Sequence, residues 1–132
     1  MSRILVVDAS VVVDLLARFR PQPLEELLWA PETVLAAPEL IDIEVLNALR
    51  RLDQAGAIPA NRVAELPTQV RGLRIRKYRH DSLLDGIWAL RNTVTAYDAA
   101  YVALARLLDA ALITRDARLA RAPGLNVQVI KP

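Results

Sequence analysis

Apolar residues fall into two rhythms along this chain. Short runs rich in β-branched side chains alternate with longer stretches whose apolar positions recur every three or four residues. Arg3 to Val7 is of the first kind and predicts a buried strand. Asp8-Ala-Ser10 follows, and Val11 to Ala17 predicts a helix entered through a polar cap. Pro21 and Pro23 punctuate the chain before Leu24 to Trp29, which predicts a short helix ended by Pro31. Val34 to Ala37 predicts a second buried strand. Pro38 is read as opening a long helix that runs to Gly56, with proline at its start and glycine past its end. Asn61 to Leu66 reads as helical until Pro67, and Leu73 to Arg79 as a strand with one basic face. Ser82 to Asn92 predicts an amphipathic helix and Tyr97 to Leu108 a strongly apolar one. Leu112 to Thr114 predicts a short strand, Ala117 to Ala120 a helical turn or two, and Val127 to Ile130 a last strand. Short strands alternating with helices imply a parallel sheet covered on both faces, the α/β class.

Composition changes this picture little. No repeat or linker divides the 132 residues, so one domain over residues 1–132 is expected. Apolar residues make up 54%, which suggests a thick core or a surface held against another protein. The chain has no cysteine, which excludes disulfides and thiolate chemistry and fits a reducing compartment. Asp8 stops the first apolar run at once, so no signal peptide is expected. No window approaches the roughly 20 apolar residues of a membrane span. A soluble, cytoplasmic protein is the expectation.

Four acids stand in informative places. Ligands of such sheets bind beyond the carboxyl ends of the strands. Asp8 directly follows the first strand, and Asp116 lies two residues past Thr114, so both belong to one rim. Each is equally a good helix N-cap. Glu44 lies three residues after Ile41 and four before Ala48, which turns it toward the apolar side of its helix; the alternative is a border position reaching water. Thr95-Ala-Tyr-Asp98 matches a capping box, yet Asp98 also heads the most apolar helix, above Tyr101, Val102 and Ala105. Both roles can hold together.

Charge repulsion decides what such a cluster must do. Two carboxylates about 4 Å apart repel by about 4 kcal/mol at an effective dielectric of 20. Four together must take up protons or hold a divalent cation. An all-oxygen site suits magnesium or manganese, and zinc is disfavoured because His80 is the only histidine. Net charge is +2; setting the four acids aside leaves 11 acids against 17 bases, or +6. An acidic pit on a basic body can attract a polyanion and hold cations at one point. A slightly basic soluble protein without that role fits the same totals.

At these residues the sequence resembles the PIN domains, and within them the VapC toxins of bacterial toxin–antitoxin pairs. Four segments carry the resemblance: Val6-Val-Asp-Ala-Ser10, Glu44-Val-Leu-Asn-Ala-Leu-Arg-Arg51, Leu90 through Ala105, and Leu112-Ile-Thr-Arg-Asp-Ala-Arg-Leu-Ala120. The resemblance implies a single PIN domain, a three-layer α/β/α sandwich around a mostly parallel sheet. It also implies a magnesium-dependent endoribonuclease, with RNA as substrate, a small antitoxin protein as partner, and a homodimer. The family's acids fall on Asp8, Glu44, Asp98 and Asp116, with Asp8 and Asp98 at the positions usually given to metal. Glu44 and Asp116 are expected to act directly or through water. Ser10 and Thr114 match hydroxyls that often line the site.

Metal ions can cleave a phosphodiester without a cysteine or histidine nucleophile, by polarising the phosphoryl oxygen and activating water. One ion or two stays open. Thr95 and Arg115 are further candidates near the acids, Arg115 for phosphate. Arg71, Arg74, Arg76, Lys77 and Arg79 could track phosphates or form a solvated sheet edge. Asp14 and Asn47 are left unassigned. The apolar residues of Leu24 to Trp29 and around Trp88 mark either an antitoxin groove, a dimer contact, or core. Two alternatives remain: a non-toxic RNA-processing nuclease of the same type, and a magnesium-binding, receiver-like regulatory domain.

Overall fold

The computed structural model describes residues 3–17, 26 and 28–132. Strands β1 (Arg3–Val7), β2 (Thr33–Pro38), β3 (Ile75–Tyr78), β4 (Ala111–Ile113) and β5 (Val129–Ile130) form one parallel sheet in the order β3-β2-β1-β4-β5. Successive side chains of a strand point to opposite faces. Leu5, Val6 and Val7 are nonetheless all buried, as are Leu35, Ala36 and Ala37, so both faces of the sheet are covered. The helices that cover it are α1 (Ala9–Ala17), α2 (Ile41–Gln54), α3 (Ala60–Val63), α4 (Leu66–Arg71), α5 (Leu84–Ala89), α6 (Ala96–Leu108) and α7 (Ala117–Arg121). The architecture is the α/β/α sandwich expected.

Helix α6 is the centre of the core. Ala99 to Ala105 are buried without interruption, and the helix packs on β1, β2 and β4. A helix apolar on every side belongs inside a molecule. Its alanines let neighbours come close: a Cβ added to Gly86 of α5 would stand 3.0 Å from that of Ala103.

Several boundaries differ from the sequence expectations. Pro38 does not open the long helix. It ends β2 opposite Tyr78, and the next amide, of Glu39, donates to the Tyr78 carbonyl. Helix α2 starts at Ile41, where His80 Nε2 accepts from the Leu40 amide at 3.0 Å, a contact 40 residues distant in sequence. The helix does stop before Gly56, whose φ of +74° suits glycine. Pro67 does not end a helix; it sits in the first turn of α4, where a missing N–H costs nothing. Strand β3 is shorter than Leu73 to Arg79 and leaves Arg74 outside it. As an edge strand it exposes the consecutive Arg76 and Lys77, so the single basic face is not observed. The Ser82 to Asn92 segment splits into a 3₁₀ turn (Asp81–Leu83) and α5, and tight i to i+3 bonds end it at Leu90. The last strand is only β5. Pro21, Pro23 and half of Leu24 to Trp29 (Leu24, Glu25 and Leu27) lie outside the described residues; of that segment Leu28 is buried, and Glu26 and Trp29 are exposed.

Because α6 cannot collapse around a void without moving the sheet, Leu104→Ala should cost about 3 kcal/mol of stability. Urea denaturation measures this, and a loss below about 1 kcal/mol would show that α6 is not the centre of the core.

Candidate functional site

The strand order begins in the middle of the sheet. After β1 the chain moves outward on one side through β2 and β3, and after β4 on the other to β5. Such a reversal opens a crevice at the carboxyl ends of the two central strands. A cavity of about 600 Å³ lies there, lined in part by Asp8, Glu44, Asp98 and Asp116. All four acids singled out in the sequence therefore meet, brought from the end of β1, the first turn of α2, the first turn of α6 and the start of α7.

Asp8 is buried, with 7% of its surface exposed. The hydroxyls of Ser10 and Thr114 both donate to its Oδ2, at 2.9 and 2.7 Å. Each hydroxyl in turn accepts a backbone amide, Ser10 from Arg115 and Thr114 from Asp116, both at 3.0 Å. Ser10 also lines the cavity, while Thr114 is fully buried behind it.

Glu44 is half-buried, and its Oε1 accepts the Tyr101 hydroxyl at 2.6 Å. Burial raises the Glu44 pKa, the Tyr101 bond lowers it, and the charges of Asp8 and Asp98 raise it again; the net direction is up. Asp98 is raised as well, first by burial and then by Asp8 and Asp116, against smaller opposing effects of Arg118 and Thr95. Burial and Glu44 push the Tyr101 phenol far up, so it stays protonated and donates.

The capping readings hold at Thr95 and Asp116, whereas Asp8 Oδ2 is taken by the two hydroxyls. Thr95 accepts from the Asp98 amide at 3.2 Å as the N-cap of α6, and it lines the cavity. Asp116 caps α7 with Oδ1, accepting the amides of Arg118 and Leu119. Arg115 reaches the cavity wall, but its guanidinium is taken by Asp14 (Nε to Oδ2, 2.6 Å) and by the Pro132 carbonyl (2.7 Å). Asn47 accepts from Arg50 on an exposed face. None of Arg71, Arg74, Arg76, Lys77 and Arg79 lines the cavity, and Lys77 pairs with Asp42 at 2.8 Å.

Sequence reading gave no site role to Arg51, Tyr97 or Arg118 on the cavity wall or to Tyr101 behind it, and it left Asp14 unassigned. Asp14 lines the cavity as well, and Tyr101 braces Glu44 from the core. Tyr101 carries a faint signal, since it sits one turn below Asp98 and is the only hydroxyl-bearing residue within α6 apart from Tyr97. Among the described residues no three acidic or histidine side chains converge tightly enough to hold a metal ion by themselves. The donor set around the cavity is nevertheless all oxygen.

A profile of the PIN domain matches residues 5–125, a span that holds all four acids. The chain belongs to the PIN domain family. Ribonuclease VapC1 of Mycobacterium tuberculosis is 40% identical over 125 residues, covering 94% of each chain. VapBC2 from Rickettsia felis, solved bound to a fragment of promoter DNA, aligns at TM-score 0.69 and 16% identity over 98% of both chains. A toxin–antitoxin complex from Klebsiella pneumoniae aligns at TM-score 0.65 and 19% identity over 96% of both. These two likenesses establish the PIN fold of the chain. Membership of this family leaves the receiver-like alternative without support.

The raised Glu44 and Asp98 bind protons more tightly folded than unfolded. Their charges therefore cost stability above the raised values, and the cost fades as pH falls through them toward the ordinary carboxylate range. Glu44→Gln keeps an acceptor for Tyr101 and removes one charge. In divalent-free buffer at pH 7 its Tm should exceed the parent's by a few degrees, with the gain shrinking on acidification. A lower Tm at neutral pH would mark Glu44 as a purely structural residue. Tyr101→Phe should move the Glu44 titration further up, as followed by carboxyl ¹³C shifts.

Proposed function

We propose that this protein is a divalent-cation-dependent endoribonuclease, the toxin of a toxin–antitoxin pair, which cuts RNA at the four-carboxylate cavity. Carboxylates from four distant segments lining one cavity, two of them with their proton affinity raised by burial and by neighbouring carboxylates, carry this reading. The name of the 40%-identical relative, a ribonuclease, supports it. Magnesium keeps much of its water and needs only one or two direct carboxylates, so it does not require three of these acids to converge on it. Manganese takes the same oxygen donors.

Asp8 and Asp98 would hold the ion, with Glu44 and Asp116 acting directly or through water. Bound magnesium supplies Lewis-acid charge that polarises a phosphoryl oxygen and makes water a better nucleophile. The remaining work belongs to the chain. Ser10 and Thr114 fix the Asp8 carboxylate by its Oδ2. Tyr101 occupies Oε1 of Glu44 and leaves Oε2 to accept a proton from water. Asp116 spends Oδ1 on its helix, so Oδ2 is the oxygen free for the site or for Arg118, 3.9 Å away. Thr95 orients the start of α6 and with it Asp98.

An antitoxin protein and a homodimer belong to the same proposal, as does a cytoplasmic setting. Ile43 and Leu46, exposed one turn apart on α2, are apolar residues that such protein contacts would cover. No described helix is long and apolar enough to cross a membrane.

Purified protein should cleave RNA from tRNA, rRNA and mRNA pools with magnesium or manganese, and stop when a chelator is added. Asp8→Asn, Glu44→Gln and Asp98→Asn should each lower the rate by on the order of 100-fold or more. Full activity without Glu44 or Asp98 would end the proposal. Expression without the neighbouring antitoxin gene should arrest growth; harmless expression of a protein that still cleaves RNA would leave the non-toxic nuclease.

A further inference from the structure

A second cavity, of about 520 Å³, adjoins the acidic one and shares Thr95, Asp98 and Arg118 with it. Its chemistry is different. Among the described residues Asp98, on the shared wall, is its only acid, while Arg91 and Arg118 bring two guanidinium groups from segments 27 residues apart. Arg118 is largely exposed, and Asp116 stands 3.9 Å from it. Arg91 is held in place beforehand. Its Nη1 donates to the Trp88 carbonyl at 3.0 Å, and its guanidinium lies over the Trp88 ring, 5.1 Å from the centroid. Stacking of this kind restrains a long side chain without neutralising it. Asn92 and Thr93 add hydrogen-bonding groups at the wall, and Val94, Leu119 and Ala122 give it an apolar floor.

Resting on the ribonuclease reading above, we propose that this cavity is a nucleotide subsite, which seats the residue of the RNA strand next to the bond being cut. Arg91 and Arg118 receive its phosphate, and the apolar floor receives its base. A volume of this size accommodates one nucleotide. The shared wall at Asp98 makes the path from the subsite to the carboxylates continuous. The basic edge at Arg74, Arg76 and Lys77 has no such continuity, because none of these side chains lines either cavity. RNA is therefore held beside the acids by the Leu90 to Thr95 turn and α7, and β3 takes no part.

Fluorescence anisotropy of a fluorescein-labelled random-sequence 12-nucleotide RNA tests this. The titrations use full-length Glu44→Gln protein in magnesium, which binds without turning over. Adding Arg91→Ala should weaken binding on the order of tenfold, the worth of one charge-assisted hydrogen bond, and lower the salt slope by about one. Arg91→Lys should restore the salt slope without the full affinity, and Arg76→Ala should change neither. Unchanged binding by Arg91→Ala would overturn the subsite, provided that protein with Glu44 intact cleaves RNA. If that protein neither binds nor cleaves RNA, the ribonuclease reading falls together with the subsite. Loss of dimer mass in Arg91→Ala with RNA affinity intact would assign this surface to a second protein chain and overturn the proposal.

Discussion

Strands β1 and β4 end side by side, and the site depends on that alignment. The Asp8 amide donates to the Ile113 carbonyl at 3.0 Å and carries the pairing one residue past Val7. Thr114 is held on its other side by the Ile130 carbonyl. Asp8 and Thr114 are thus neighbours across 106 residues of sequence, and the threonine hydroxyl meets the carboxylate at 2.7 Å. A carboxylate buried this deeply needs hydrogen bonds to offset the loss of water. Two hydroxyl donors, worth about 1.5 to 3 kcal/mol each when the acceptor is charged, meet that need. A slip of one residue between the strands would part them and leave the buried Asp8 with the Ser10 hydroxyl alone.

The partners of the acids follow one rule: they orient without discharging. Asp8 has two hydroxyls, Glu44 a phenol, Asp98 the Thr95 hydroxyl, and Asp116 the amides that start its helix. Among the described residues the short ion pairs lie elsewhere, Arg115 with Asp14 and Lys77 with Asp42, and the exposed Arg118 reaches Asp116 only at 3.9 Å. A salt bridge to any of the four would relieve repulsion and at once compete with a cation for the same oxygen. Neutral donors avoid that competition. The consequence is a cavity whose negative charge is kept at the expense of stability, visible in the upward shifts of Glu44 and Asp98.

Local pattern made much of this legible. The run Ile4 to Val7 broken by Asp8 marks both a strand and the end of it that meets the cavity. Glu44 was readable because helical spacing from Ile41 to Ala48 is a geometric fact, whatever the helix packs on. Capping and a place on the cavity wall coincide at both Asp98 and Asp116: Asp98 gives its backbone amide to the cap, and Asp116 gives one of its two carboxylate oxygens. The failures have a common cause in distant partners. Pro38 looked like a helix opener because nothing nearby reveals that Tyr78 will pair with it. His80 caps α2 from 40 residues away. Arg115 looked free for phosphate, and only the fold brings Asp14 and the terminal carbonyl against it. Tyr101 read as core, which it is, but its hydroxyl has a second task that no spacing rule encodes.

Helix α6 shows why the acids can be placed with precision at all. Its first turn supplies Asp98, its second supplies Tyr101 to Glu44, and the rest fills the space beneath β1, β2 and β4. Small residues at Ala99, Ala100, Ala103 and Ala105 bring sheet and neighbouring helices close to its axis, so the helix has little room to shift or turn. A site mounted on such an element inherits its rigidity, whereas one mounted on loops must supply its own. Substitutions that enlarge these alanines would act on the site without touching it, by pushing α6 outward and drawing the Tyr101 hydroxyl away from Glu44. Glu44 would then keep its burial and its repulsion from Asp8 and Asp98 but lose the one group that restrains it.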